Sequence, residues 1–339
     1  MSEAFAGQTI VVTGASGYLG DALVRRLADA DVQLVRISRN PEKLCQLPLA
    51  STQVQCHDVV GDIAETSFWR DLFVQFEIDT VFHLAGQTSA YVANENPEQD
   101  FGANVAPMLG ILSGCESRTN PPTIIFAGAA TEVGVTTSGP VDETAADVPD
   151  TIYDLHKLVA EHYLKHAVKR GIAKGATLRL ANVYGPGQQS GSDDRGILNR
   201  MVRTALNGDA VTIFGDGSQI RDYVYLEDVL NAFLFASGNP DSLMGQHFFI
   251  GSGMPHSISE AFHMVARGVA AAKGCDVPIK FSPWPEQALA IEFRNFFAEI
   301  SLFERTTGWR PEIKLEDGIQ RTITAFSKTP DTAQWVQHA

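Results

Sequence analysis

The stretch that most limits how this chain can fold is Thr9–Gly20, where a short β-branched run leads directly into three glycines. Apolar residues at positions 10–12 predict a strand that is buried on both faces. The glycines follow as Gly14, Gly17 and Gly20, and an apolar helical pattern begins just after them. The chain therefore opens with a strand, a tight turn and a helix in that order.

This order is the one required to bind a dinucleotide, because a pyrophosphate can rest on the free N–H groups of a helix start only when no Cβ atom intervenes. Gly14 and Gly17 would let the backbone approach the ligand, and Gly20 would let the helix pack closely on the strand. The strand and helix context makes cofactor binding the better interpretation than an ordinary turn. The predicted contacts in this turn are Gly14, Ser16, Gly17, Tyr18, Leu19 and Gly20.

The end of the second predicted strand, Gln33–Ser38, bears on which dinucleotide is bound. An acid at this position accepts the ribose 2′-hydroxyl of NAD, whereas a small residue beside an arginine accommodates the 2′-phosphate of NADP. The chain has Ser38 followed by Arg39. NADP(H) is therefore the favoured cofactor, with NAD as the alternative.

A third strand is predicted over residues 53–57, and two acid-containing pairs follow it. Either Asp58 with Val59 or Asp62 with Ile63 could present a carboxylate to the adenine amino group, and the sequence does not separate them. Further along, the strand Thr80–Leu84 runs into small residues at its carboxyl end, where ligands lie in open α/β sheets. Leu84, Ala85 and Gly86 are therefore predicted to contact the cofactor.

A tyrosine and a lysine stand four residues apart at the start of a predicted helix, as Tyr153 and Lys157. At this spacing both side chains lie on one helix face. An ammonium group favours the phenolate of a nearby phenol, so it brings a pKa of about 10 toward the range where proton exchange with a hydroxyl or ketone is efficient. The pair predicts acid–base chemistry on an alcohol or a carbonyl group.

Charge and cysteine content narrow the possible partners. The 26 basic residues are outnumbered by 40 acidic ones, for a formal net charge of −14. Nucleic acid and anionic membrane surfaces are not expected partners, because both need a basic surface. The four cysteines have no metal-binding spacing, no metal is expected, and they are expected to be buried thiols in a reducing compartment. We predict a soluble, cytoplasmic protein.

Taken together, these motifs resemble the extended short-chain dehydrogenase/reductase family, in particular its nucleotide-sugar epimerases, dehydratases and reductases. The resemblance implies an α/β Rossmann-type, doubly wound parallel sheet with a smaller α/β substrate-binding domain. It also implies that Tyr153 is the acid/base and that Lys157 holds the nicotinamide ribose. The motifs that carry the resemblance are Gly14 to Gly20, His83 to Gly86, Asn104, Tyr153 with Lys157, Leu180 to Pro186 and Phe214 to Tyr225. The same resemblance places Asn104 at the cofactor, Asn182 at the substrate, and Arg221 with Arg294 at the substrate diphosphate.

One position departs from the family pattern. After the fifth strand the family has a Ser or Thr that hydrogen-bonds the reacting sugar oxygen, and here an ungapped alignment puts Ala129 at that position. Thr131 is the nearest hydroxyl and is the candidate replacement. The dehydratases of the family have an acidic pair in this stretch, of which Thr131-Glu132 could be a shifted remnant.

The domain boundaries follow from the same resemblance. Residues 1–182 with about 223–252 are predicted to bind the cofactor, 183–222 with 253–330 to bind a nucleotide sugar, and 331–339 to form a tail. A homodimer is expected, since the family often pairs through two helices of each subunit.

Several functions remain open at this point. The second-strand signal favours an NADP(H)-dependent keto-sugar reductase acting at a hexose carbon, with carbon 4 as the expected position. The alternative is a nucleotide-sugar 4-epimerase with retained NAD(P). Less favoured are a dehydratase and, because of Ala129, a catalytically impaired sensor of cofactor or sugar nucleotide.

Overall fold

The structure is a computed structural model that describes residues 5–45, 54–116, 118–187, 196–243 and 245–328. Its strands are β1 Thr9–Thr13, β2 Gln33–Ser38, β3 Gln55–Val60, β4 Thr80–His83, β5 Thr123–Ala129, β6 Pro140–Val141, β7 Lys174–Leu180, β8 Asn182–Tyr184, β9 Val211–Phe214, β10 Ile220–Arg221, β11 Tyr223–Tyr225, β12 His247–Ile250, β13 His256–Ser257, β14 Ile279–Ser282 and β15 Phe297–Ala298. The predicted tail at 331–339 lies outside the described residues.

The α-helices differ in length. They are α1 Tyr18–Leu27, α2 Pro41–Cys45, α3 Thr66–Gln75, α4 Ala90–Glu95, α5 Pro97–Asn104, α6 Ala106–Cys115, α7 Ile152–Lys169, α8 Ile197–Leu206, α9 Leu226–Ser237, α10 Pro240–Leu243, α11 Ile258–Lys273, α12 Ser301–Thr307 and α13 Leu315–Lys328. Two 3₁₀ turns, Ala130–Val133 and Ala290–Phe293, complete the set. Among the described helices, none combines the length and apolar character needed to cross a bilayer.

A seven-stranded sheet with the order β12-β7-β5-β4-β1-β2-β3 forms the centre of the molecule. All of its neighbouring pairs are parallel. The strand order reverses direction beside β1, so helices cover both faces and the sheet is doubly wound, as predicted. Strands β1, β4 and β5 are buried along their whole length, which is why they consist of continuous apolar runs rather than alternating ones.

Two apolar cores lie against the sheet, one including Leu23 and Phe233 and the other including Trp69 and Phe126. A third core, away from the sheet, gathers α8, α11 and α13 around β9. This arrangement gives the chain a smaller second region beside the sheet. The exact domain boundaries stay a prediction.

The structure corrects two details of the sequence analysis. The third strand begins and ends later than predicted, at Gln55–Val60, because its register with β2 carries it on to pair Val60 with Ser38. The expectation of buried thiols holds for Cys115 but is wrong for Cys56 and Cys275, which are exposed. The side chain of Cys45 lies outside the described residues.

Candidate active site

One large cleft, with a volume of about 1590 Å³, runs along the carboxyl ends of the strands and on into the second region. All six predicted residues of the glycine turn line it, as do Tyr153, Lys157, Asn182, Arg221 and Arg294. Motifs that are far apart in the sequence therefore line one cleft.

The glycine turn has the shape that a dinucleotide needs. Gly14 has a φ of +65°, and a Cβ on it would lie 2.9 Å from the backbone of Ala85. A Cβ on Gly20 would lie 2.0 Å from the carbonyl oxygen of Gly14. Helix α1 begins directly after its N-cap, Gly17, so its first N–H groups, which have no intrahelical partner, face the cleft. The turn therefore fits a pyrophosphate, and its glycines are required by close backbone approach.

The end of β2 is small and basic where it meets the cleft. The Ser38 hydroxyl lies 2.9 Å from the Ser16 hydroxyl and accepts the N–H of Asn40 at 3.1 Å. Arg39 and Lys43 are exposed and line the cleft here. Among the described residues 37–43, none of those lining the cleft is acidic. This end of the site therefore has positive charge where an NAD-binding acid would stand.

The two adenine alternatives separate in space. Asp62 and Ile63 line the cleft. The Asp58 carboxylate is instead bound bidentately by Arg36, at 2.7 and 2.8 Å, and Val59 packs against one of the sheet cores. The geometry thus favours the Asp62 pair as the adenine contact, because the oxygens of Asp58 already have a cationic partner.

Thr13, at the end of β1, holds Leu84 and Ala85 in place after β4. Its hydroxyl accepts the N–H groups of Leu84 and Ala85, both at 3.1 Å, and lies 2.8 Å from His83 Nδ1. His83 is fully buried, and burial together with the charge of Lys157 lowers its pKa to about 3. His83 is thus a packed side chain and is not among the residues that line the cleft.

Gly86 lies close to Asn104 and Lys157. A Cβ on Gly86 would lie 2.5 Å from Asn104 Oδ1 and 3.2 Å from Lys157 Nζ. Asn104 is buried, its amide nitrogen donates to the Gln87 carbonyl at 3.0 Å, and its Oδ1 has no hydrogen-bond partner among the described residues. Asn104 thus supports the loop behind Gly86.

Tyr153 and Lys157 lie on one face of α7, as the four-residue spacing predicts. Both line the cleft, with 6% and 4% of their surfaces exposed. Lys157 Nζ donates to the Ala127 carbonyl at 3.0 Å and lies 6.0 Å from the centre of the Tyr153 ring. It also sits 4.8 Å from the centre of the Phe126 ring. A buried ammonium close to a phenol is the arrangement that favours proton exchange at the phenolic oxygen.

The turn after β5 forms the opposite side of this centre. Ala129 and Thr131 line the cleft. The Thr131 hydroxyl donates to Asp154 Oδ1, and the Thr151 hydroxyl donates to Asp154 Oδ2 at 2.7 Å. Thr131, the candidate replacement for the missing serine or threonine, therefore lines the cleft, but its hydroxyl is hydrogen-bonded to a carboxylate.

Glu132 lies on the far side of the same turn. It is fully buried, accepts the Ala129 N–H at 2.7 Å, and forms an ion pair with Arg179 at 3.0 Å. Burial and the neighbouring Glu161 raise its pKa well above the ordinary value. Because this carboxylate braces the turn from behind, Thr131-Glu132 is not placed as an acidic pair facing a substrate.

The substrate half presents its two predicted arginines at the cleft wall. Arg221 is buried, and its guanidinium donates to the carbonyl oxygens of Ile220, Glu292 and Arg294. Arg294 donates to the Ile291 carbonyl at 2.7 Å. Asn182 lies at the start of β8 and lines the same cleft.

Next to Arg221, the buried Asp222 ties several segments together. Its carboxylate accepts the N–H groups of Ser252, Gly253 and Ala298 and the Ser252 hydroxyl, at 2.7 to 3.1 Å. Its carbonyl accepts the N–H of Asn182 at 3.0 Å. Burial raises the pKa of Asp222, while these donors act in the opposite direction.

The sequence analysis missed three features of the cleft: Asp154, the aromatic side chain of Trp284, and the pair Arg200 and Arg203. The arginines could have been found, because α8 buries Leu198, Met201, Val202 and Ala205 and so leaves its opposite face polar. In an acidic chain that needs local positive charge for phosphate, two arginines on such a face are a signal. Trp284 comes from an irregular segment that periodicity does not reach.

A Rossmann-type sheet, a glycine turn that fits a pyrophosphate and a buried Tyr–Lys pair define a dinucleotide-dependent enzyme of the oxidoreductase type. Comparison with known proteins gives its family. The model of the NAD dependent epimerase/dehydratase family matches residues 10–251, and the chain belongs to this family. Its membership confirms the resemblance seen in the sequence and makes it an NAD(P)-dependent enzyme.

Several characterised proteins are similar over nearly their whole length. UDP-glucose 4-epimerase of Mycolicibacterium smegmatis is 28% identical, over 93% of this chain and 97% of the relative. The dTDP-4-dehydro-6-deoxyglucose reductase of Escherichia coli is 26% identical, over 94% and 97%. Among solved structures, UDP-glucose 4-epimerase of Thermotoga maritima with UDP-glucose aligns with a TM-score of 0.82 at 26% identity, over 95% of this chain and 99% of that one.

Proposed function

We propose that the protein is a nucleotide-sugar 4-epimerase, which oxidises a sugar carbon with its bound cofactor and returns the hydride to the other face. The observation that carries this is the single cleft joining the glycine turn, Tyr153 with Lys157, and Arg221 with Arg294. The similarity to UDP-glucose 4-epimerases in both sequence and structure supports epimerisation over the net reduction that the second strand alone suggested.

The roles of the residues follow from their positions. The glycine turn would hold the cofactor, whose nicotinamide would supply the hydride acceptor and donor. Tyr153 takes the proton of the reacting hydroxyl and gives it back, with Lys157 Nζ stabilising the phenolate. The forked guanidinium groups of Arg221 and Arg294 match diphosphate oxygens, and Asn182 lies where it can contact the sugar.

A second candidate, an NADP(H)-dependent reductase of a keto-sugar nucleotide, is favoured by one specific observation. The β2 end of the cleft offers Ser38, Arg39 and Lys43, with no acid among its described lining residues. This setting suits a 2′-phosphate, and exchangeable NADPH is what a net reductase uses.

The experiment that separates the two begins with the cofactor released by heat from the purified protein, identified by chromatography. The protein is then incubated with UDP-glucose and no added cofactor, and UDP-galactose is measured by proton NMR. Retained cofactor and product formation support the epimerase. No product, together with NADPH oxidation in the presence of dTDP-4-dehydro-6-deoxyglucose, would establish the reductase instead.

The cofactor preference can be tested with a matched pair of arginines. Arg39→Ser should weaken NADPH binding by about tenfold or more and leave NADH binding unchanged, since the 2′-phosphate alone loses a cation. Arg26→Ser, at an exposed position on α1, is the control. Equal loss of both cofactors in Arg39→Ser would contradict the NADP(H) proposal.

We also propose a homodimer formed through α5, α6 and α7. Each of these helices exposes a large apolar side chain, namely Phe101, Leu109 and Leu155. A second copy would cover these side chains by packing its own three helices against them. Light scattering of Leu155→Glu, expected to give monomers, tests this proposal, and a monomeric parent protein would refute it.

A further inference from the structure

The altered side of the reaction centre contains a buried carboxylate that the family pattern does not explain. Asp154 follows Tyr153 directly, is 2% exposed and lines the cleft. Its two carboxylate oxygens accept different hydroxyl groups, Oδ1 from Thr131 and Oδ2 from Thr151. Asp154 thus links the start of α7 to the turn after β5, and both segments line the cleft.

Both hydroxyl groups that contact the Asp154 carboxylate are hydrogen-bond donors, which offset the cost of its burial. Asp154 is in the first turn of α7, whose N-cap, Thr151, accepts the Asp154 N–H at 3.2 Å. Negative charge is stabilised at a helix N-terminus, and two hydroxyl donors add to that stabilisation. An ionised carboxylate can only accept hydrogen bonds. In each of these two contacts the proton therefore belongs to the threonine.

A threonine hydroxyl has one proton and two lone pairs. Once the Thr131 proton points at Asp154, Thr131 Oγ1 has only lone pairs left for any other partner. A sugar hydroxyl can donate to those lone pairs, whereas a keto oxygen, which has no proton, cannot. A hydroxyl free to rotate, such as one at position 129 in the family pattern, could serve both forms of the substrate.

We propose that Asp154 fixes Thr131 as a hydrogen-bond acceptor, so that the turn side of the site binds the alcohol form of the reacting carbon in preference to its keto form. This inference rests on the proposed function, since it assumes that the site handles both forms. Asp154 acts as a positioning residue, and Thr131 is the group that meets the substrate. The keto form is then held from the helix side alone, by the hydroxyl of protonated Tyr153.

The test compares dissociation constants for UDP-glucose, an alcohol at carbon 4, and dTDP-4-dehydro-6-deoxyglucose, a ketone, by titration calorimetry of the cofactor-loaded protein. The readout is the ratio of the two constants and how it changes between variants, so the different nucleotide bases cancel. Loss of one hydrogen bond with an uncharged partner changes affinity by roughly tenfold.

Thr131→Val keeps the side-chain shape and should weaken alcohol binding by about tenfold while leaving ketone binding unchanged. Thr131→Ser should behave like the parent. In Asp154→Asn, the new amide can donate to Thr131, which frees the threonine proton for the cleft, so the ratio should shift toward the ketone. Thr144→Val, on an exposed loop, is the matched control.

The outcomes separate the two levels of inference. A parent protein that binds neither nucleotide sugar and turns over neither would refute the proposed function itself. A parent that binds and turns over its substrate, with the same alcohol-to-ketone ratio in Thr131→Val and Asp154→Asn, would overturn the role of Asp154 alone. A lower affinity for both ligands in equal measure would show a structural role and would also overturn it.

Discussion

The two sides of the reaction centre are built on different principles. On the helix side, Tyr153 and Lys157 project from consecutive turns of α7, an 18-residue helix whose spacing fixes their separation. On the turn side, Ala129 and Thr131 belong to a strand end and a short 3₁₀ turn, braced from behind by Glu132 and Arg179.

This contrast indicates which part of such a site can change. The relative position of two side chains on a regular helix is set by their spacing alone. Neither member of the pair can therefore move to another position without losing the other. A turn offers several neighbouring positions for one hydroxyl, so the group can move by two residues if something else orients it. Here Asp154 provides that orientation, and it comes from the helix side.

The largest effect is expected from breaking the helix side. Tyr153→Phe removes the proton-exchanging group and should lower kcat by about a thousandfold, in line with general acid–base contributions of roughly 10²–10⁴. Single-turnover reduction of bound cofactor, followed by absorbance, measures this directly. Tyr163→Phe, at an exposed position on the same helix, is the control.

A Tyr153→Phe variant that keeps a tenth or more of the parent rate would show that the proton leaves by another route. Thr131 on the turn side and Asp154, to which it donates, would then be the first groups to examine.

Mild acid should weaken the fold beneath the helix side. His83 stacks on Phe126, and Lys157 Nζ lies 4.8 Å from the centre of that ring. The pKa of buried His83 is lowered to about 3. Below about pH 6.5 this histidine therefore binds a proton in the unfolded chain but stays neutral in the native state. The free energy of unfolding should therefore fall as pH drops from about 6.5 toward 3.

Between pH 7 and pH 5 this one group should cost about 2 kcal/mol, measured by urea unfolding. His83→Gln should flatten that part of the pH dependence. His247, whose pKa is lowered to about 4, acts in the same direction, so His247→Gln shows how much of the slope is not due to His83. An unchanged slope in His83→Gln would contradict the assignment.

The smallest effect is expected from restoring the family hydroxyl. Ala129→Ser places a second hydroxyl on the turn side. Because Thr131 already accepts from the alcohol form and Tyr153 already donates to the keto form, kcat should change by no more than about threefold. A rise of about a hundredfold would mean that Tyr153 alone is not a sufficient donor for the keto form. Steady-state kinetics of the two proteins side by side decide between these results.

The sequence predicted the parts of the fold that depend on local pattern. The glycine turn, the parallel sheet and the Tyr153–Lys157 face follow from spacing, from buried apolar runs and from the steric limits on a Cβ atom. The residues predicted to contact the cofactor and substrate remain predictions, although the structure brings most of them to one cleft.

What the sequence could not give depends on contacts between distant segments. From the sequence alone, Asp58 and Asp62 are equally good candidates for the adenine contact. The hydrogen bond from Arg36 to Asp58 distinguishes them in the structure. Glu132 is next to a site residue in sequence but turns toward Arg179, which is 47 positions further along the chain. In the sequence, Asp154 is an ordinary acidic residue in the first turn of a helix. The hydrogen bond from Thr131 to its carboxylate appears only in the structure.

The carboxylate of Asp222 limits how this enzyme can open and close. It joins the segment carrying Arg221 to the loop after β12, the last strand of the sheet, and to β15. By the domain boundaries predicted from the sequence, Ser252 belongs to the cofactor half, whereas Asp222, Gly253 and Ala298 belong to the substrate half. A rigid swing of the substrate half would therefore break the two hydrogen bonds that Ser252 donates to the buried Asp222 carboxylate. We expect ligands to enter instead through rearrangements of side chains and loops along the cleft.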